Sequence, residues 1–219
     1  MTLETQQIAK RRATKTRKRR ITWIGVVVLV VVGIALGTKV VPHDDPALEG
    51  EAAFDPETFG QENFGAVRDA VLDQAVDAEE LSAAIEADPD AAAEEYAEDA
   101  SGGAIYSVTV TGVVGEGASG IYELDVDGVP DDLLIRVQTG PAINGTELRD
   151  ATGTMSFGDF ANQIQFQDAA TALNNQMKDE VLADVDTDDL EGKTITTTGV
   201  FTLINPEAWL ITPVALEVQ

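Results

Sequence analysis

Cysteine is absent from the 219 residues, and histidine occurs once, as His43. Without cysteine no disulfide can brace the chain and no lipid can be attached to a lipobox cysteine, so an exported body must rely on its core. Without a second histidine, a G-x-S-x-G turn or a phosphate loop, the usual nucleophile and base pairs cannot be assembled. Carboxylates abound, but their number alone does not make a poised hydrolytic pair. No enzyme, cofactor or metal centre is therefore expected. Basic residues are also scarce over most of the length. The formal charge is −25, from 14 Lys and Arg against 39 Asp and Glu. Eight of the bases (Lys10, Arg11, Arg12, Lys15, Arg17, Lys18, Arg19 and Arg20) fall in the first twenty positions, and Lys39 is a ninth. Beyond Lys39 five bases face 38 acids, a formal charge of −33. Phosphate backbones would be repelled by such a body, which excludes nucleic acid as a partner.

What is present begins with "ITWIGVVVLVVVGIALGT", residues 21–38, which carries no charge. At about 1.5 Å per residue the run just spans a hydrocarbon core of about 30 Å, and Val40 and Val41 extend it if Lys39 snorkels. Trp23 stands where an interfacial aromatic belongs. A cleaved signal has a shorter apolar region and ends in small residues, and no clear A-x-A follows here. The expectation is a retained single-pass anchor over 21–41, with a basic cytoplasmic tail at 1–20 and everything from about residue 42 outside the plasma membrane. His43, beside Asp44 and Asp45, falls at the outer membrane edge and is expected to be solvated.

Residues 42–53 are rich in proline and acid and read as a spacer. From Asn63 the apolar residues Phe64, Val67, Val71, Ala75, Ala78, Leu81 and Ile85 recur at helical spacing, and Asp88 before Pro89 caps a further short helix ending near Glu98. Residues 54–100 thus read as a small helical subdomain. The period then becomes two, predicting strands over 104–114, 120–128, 133–139, 193–204 and 209–218. Between the third and fourth lies a helix starting at Asp159 or, one turn earlier, at Ser156, with Phe160, Ile164, Ala169, Leu173, Met177 and Val181 on its buried face. Three strands, a helix and two strands is the order of an OB-like barrel with one inserted helix, so residues 101–219 are assigned to such a domain in an α+β chain.

Two clusters invite chemistry. Arg149 in "LRDA" and the amides of "DFANQIQF" could form a planar donor set for a polar ligand, with Arg149, Asp150, Asp159, Asn162 and Gln163 as candidate binding residues. The competing reading is an Arg149–Asp150 ion pair bracing a loop. "DVDTDDLEG" (184–192) spaces Asp184, Asp186 and Asp188 like a calcium loop, but Asp189 and Ile195 occupy positions that require Gly and Glu. It is read as a helix-to-strand connection. "NGT" (144–146) matches a glycosylation triplet of a very common kind.

The phrases "GPAINGTELRDA", "FGDFANQIQF", "ALNNQM", "LEGKTITTTGVF" and "ITPVALE" together resemble a family of bacterial predicted periplasmic lipoproteins, domain of unknown function 2291, over about residues 38–219. The resemblance implies export, membrane attachment, a small helical part followed by an OB-like part, and genes often beside sugar uptake transporters. It implies no activity. Where lipoprotein members place a lipidated cysteine this chain has Thr38, so a protein helix would replace the lipid. The function expected is a membrane-anchored extracytoplasmic accessory or binding protein, associated with sugar ABC transporter components. The alternative is a structural envelope protein without a small-molecule ligand.

Overall fold

Aspartates cap three of the helices among the described residues, which accounts for part of the acidic excess. The structure is a computed structural model describing residues 54–100 and 102–219. Asp55 accepts from the amides of Glu57 and Thr58, with Pro56 in the first helical position, and opens α1, Pro56–Gln74. Asp77, from the two-residue strand β1, Val76–Asp77, accepts from Glu79 N and opens α2, Ala78–Ala87. Asp88 caps α3, Pro89–Tyr96, as its position before Pro89 predicts. The helical spacing that runs through Ala75 and Ala78 is thus divided between two helices, because Ala75 leaves the helix with extended backbone and Asp77 restarts it.

Strand β2, Ala97–Ala100, turns back into β3, Gly103–Ala118. The helical reading of residues 97 and 98 is corrected here: both belong to this hairpin, and the boundary drawn at residue 100 falls inside it. Next come β4, Ile121–Asp125, and β5, Leu134–Gln138. After them lie the short helix α4, Glu147–Asp150, and the longer α5, Gln163–Met177. Strands β6, Thr194–Thr202, and β7, Ala208–Val218, complete the order of three strands, helix and two strands. Pairing runs β3, β4, β5, β7, β6 and returns from β6 to β3, with β5 and β7 parallel. Thr109 and Thr111 on β3 bond Thr198 and Thr196 on β6, each at 2.9 Å, so the threonine-rich "TITTT" forms a hydroxyl ladder.

One hydrophobic core serves helices and sheet alike. Phe64, Val67 and Val71 of α1, Leu81 and Ile85 of α2 and Leu173 and Met177 of α5 pack with Ile105, Val108, Ile135, Val200 and Ile211 of the strands. Within it Tyr106, Phe201 and Trp209 stack, with centroids 5.5 and 4.5 Å apart. Helix α1 crosses α5 closely at Gly60, where an added Cβ would stand 2.7 Å from the Ala172 carbonyl oxygen. Arg68 of α1 joins Glu180, in the π-helical segment Lys178–Leu182 that follows α5, at 3.0 Å.

The buried face of α5 differs in part from the one expected. Ala169, Leu173 and Met177 are buried, but Ile164 is 69% exposed and Phe160 is only partly covered. The cause is the helix start: Asn162 is the cap, accepting from Ile164 N at 2.9 Å and Gln165 N at 3.0 Å. Asp159 belongs instead to a separate 3-10 turn, Phe157–Asp159. Among the described residues no helix is long and apolar enough to cross a membrane. The basic tail, the apolar run 21–41 and the spacer 42–53 lie outside the described residues.

Candidate functional site

The segment from β5 to α5 is held by side-chain hydrogen bonds to its own loop backbone and to β7. Gln138 at the end of β5 donates to Asn144 O at 3.1 Å and to Thr212 Oγ1 at 2.8 Å, and accepts from Asn144 N. Asn174 of α5 donates to Gly145 O at 3.1 Å. These bonds fix the loop that delivers α4, and with it Arg149.

Arg149 is only 5% exposed. Its Nε and NH2 donate to the two carboxylate oxygens of Asp150 at 2.6 and 2.8 Å, a bidentate pair between sequence neighbours. NH1 donates to Phe166 O at 2.9 Å, and the guanidinium carbon lies 3.4 Å from the centroid of the Phe166 ring. Asp150 also accepts from Thr146 Oγ1 at 2.7 Å. Every guanidinium nitrogen is therefore committed inside the protein. Beside this pair burial pushes the Glu147 carboxyl above its ordinary value, and the charge of Asp150 pushes the same way.

The other three candidates lie on the following surface stretch. Asp159 accepts from the backbone N and the Oγ of Ser156, both at 2.8 Å, and these bonds hold its carboxyl below the usual value. Asn162 spends its side-chain oxygen on capping α5, and Gln163 is exposed in the first turn. Gln165 Oε1 accepts from Ala161 N at 3.0 Å. Among the described residues no hydrogen bond joins Arg149 to Asn162 or Gln163. The structure brings Arg149 and Asp150 together, while Asp159 closes the 3-10 turn, Asn162 caps α5 and Gln163 lies exposed in its first turn.

Phenylalanines link the two groups, and sequence reasoning did not anticipate them as a unit. Phe160 lies 5.3 Å from Phe166, 5.8 Å from Phe59 and 6.0 Å from Phe54, while Phe157 meets Phe166 edge-on at 5.7 Å. Only their crowding in sequence, with Phe157, Phe160 and Phe166 within ten residues, hinted at it. Next to this cluster is a hollow of about 210 Å³ whose polar wall is Asp99, Asp150 and Ser156 and whose apolar wall is Met155, Phe157 and Phe166. Phe157 is 56% exposed there. Aromatic rings and carboxylate acceptors lining one hollow can hold a hydroxyl-rich ring by stacking and hydrogen bonding. A second groove, of about 300 Å³, runs over β3, β4 and β5 past Arg136. Among the described residues no three acidic or histidine side chains converge to hold a metal ion, the 184–192 loop included.

A family model described as "Predicted periplasmic lipoprotein (DUF2291)" matches residues 26–217. Among solved structures, an OB-fold protein from Thermotoga maritima is similar, at 23% identity over 76% of this chain and 99% of its own, with a TM-score of 0.60. At that identity the likeness bears on the fold alone. No curated protein matches the chain.

Proposed function

The chain belongs to the predicted periplasmic lipoprotein family DUF2291, and on that premise we propose that it is a single-pass, membrane-anchored extracytoplasmic binding protein. In this reading, residues 21–41 take the place of the lipid anchor and the closed circuit of strands is an OB-like barrel. The uncharged run 21–38 behind its basic cluster supports the anchor, as does the absence of any cysteine to lipidate. The exposed Phe157 ring, placed over a hollow with Asp99 and Asp150 on its wall, carries the binding function. A monosaccharide ring fits this chemistry, and the partner proposed is a sugar ABC transporter component. Arg149 acts by positioning Asp150.

Thermal unfolding of residues 42–219 against a panel of monosaccharides tests the binding function. A ligand at about 100 times its dissociation constant adds about 2.7 kcal/mol, which moves the midpoint of a domain this size by several degrees. The shift should vanish in Phe157→Ala. A flat response across the panel would remove the sugar reading. Failure of any transporter component to co-purify from native membranes would remove the partner.

A purely structural role is the second reading, and one observation favours it: each nitrogen of Arg149 is already engaged within the protein. On that reading the "LRDA" and "NQI" phrases only lock the loop and α5 in place.

A further inference from the structure

Five basic residues lie among the described residues, and four of them have a protein partner. Arg68 pairs with Glu180 and Asp69, Arg149 with Asp150 and Lys193 with Asp189, while Lys178 donates to the carbonyl of Pro141. The side chain of Arg136, at the centre of β5, has neither an ion pair nor a hydrogen bond to any described residue, and its Nε is buried without a partner. Within a body whose charge beyond Lys39 is −33, a guanidinium left without a carboxylate is unexpected. It lies on the wall of the groove over β3–β5, with Glu116, Ala118, Ile121 and Glu123 as neighbours, and Glu123 is its cross-strand partner in register.

The groove is built into the strands. The register of β3 against β4 shifts between Val114 and Gly117, and a side chain at Gly117 would overlap the ring of Tyr122. That ring is itself fixed by the Tyr122 hydroxyl, which donates to Thr187 O at 2.8 Å.

We propose that this groove binds a small zwitterion of the α-amino-acid class, its carboxylate on Arg136 and its ammonium on Glu123 and Glu116. Charge selects this class. A simple carboxylate would gain Arg136 but face two glutamates, and a simple amine would gain the glutamates but face Arg136. A molecule carrying both groups satisfies all three residues, and Ile121 and Ala118 supply an apolar wall for its aliphatic part. A volume of about 300 Å³ accommodates a ligand of that size. The site is independent of the hollow at Phe157.

The test is an NMR titration of the full-length chain in detergent micelles, following the Arg136 Nε–H resonance, which is identified by its disappearance in Arg136→Lys. The probes are L-alanine, propionate and ethylamine, which share one skeleton and differ in the two charged groups. The expected result is a saturable shift with L-alanine alone, weakened several-fold in Glu123→Gln while the backbone amide spectrum is otherwise retained. An equal response to propionate would overturn the proposal in favour of a plain anion contact. No response to any probe would overturn the proposal outright, leaving Arg136 without a ligand. The comparison of probes uses the unaltered chain, in which the resonance can also be assigned by through-bond correlation to the Arg136 backbone, so the outcome stands even if a variant fails to fold.

Discussion

Replacing Arg149 by alanine removes both bonds to Asp150, the bond to Phe166 O and the cation stacked on the Phe166 ring. Asp150 would keep only Thr146 Oγ1 as a side-chain donor while remaining largely covered, its side chain 12% exposed. Truncating one partner of a buried ion pair costs about 3 to 5 kcal/mol, chiefly because the other charge is left uncompensated. In a fragment of this size each kcal/mol moves the melting midpoint by about 2 to 4 °C, so the expected fall is on the order of 10 °C. Urea unfolding of residues 42–219 at neutral pH measures the loss, which should appear in the midpoint with the slope unchanged. Arg149→Lys keeps the charge but cannot bond both oxygens in the same plane, so it should fall between wild type and alanine. The double variant Arg149→Ala with Asp150→Ala should lose less than the sum of the two single changes, because neither charge is then stranded. A loss below about 1 kcal/mol in Arg149→Ala would refute the brace, since that is the range of an exposed pair.

Other substitutions probe other links. Gly60→Ala should destabilise by about 1 to 3 kcal/mol through overpacking against the Ala172 carbonyl, whereas Gly65→Ala, with open space around it, should stabilise by about 0.5 to 1 kcal/mol; urea midpoints of the two separate crowding from helix propensity. Asn162→Ala should cost about 1 kcal/mol by uncapping α5, and Asn162→Asp should restore most of it. Glu147 is raised above its ordinary 4.5 in the folded state, so the native protein holds that proton more tightly than the unfolded chain. Its contribution therefore falls as pH rises through the window above 4.5 and is least favourable at neutral pH. Glu147→Gln should flatten that slope and raise stability at neutral pH, as a pH series of urea midpoints would show.

The strands were legible where alternation survives, as at Val108, Val110 and Val114 of β3, and elsewhere from β-branched runs, since Ile105 to Val108 of β3 and Thr197 to Phe201 of β6 are buried on both faces. The Asp88 cap was legible because Pro89 fixes what must follow it. The Arg149–Asp150 pair was legible as neighbours in sequence, though its third bond and its stacking on Phe166 were not. The start of α5 was misplaced because Asp159 and Asn162 are both good capping residues, and only the fold shows that Asp159 spends its carboxylate on Ser156. That shift carried Ile164 out of the core. The hollow at Phe157 and the groove at Arg136 depend on cross-strand register and on packing between distant segments, which single-sequence periodicity does not encode.

Amide NMR of residues 42–219 titrated with the monosaccharide panel is the most direct test of the binding function. The account predicts saturable shifts confined to the lining of the hollow, at Asp99, Ala100, Asp150, Gly153, Ser156, Phe157 and Phe166, for at least one sugar. Spectra unchanged for every sugar, or shifts that bypass these residues, would contradict it.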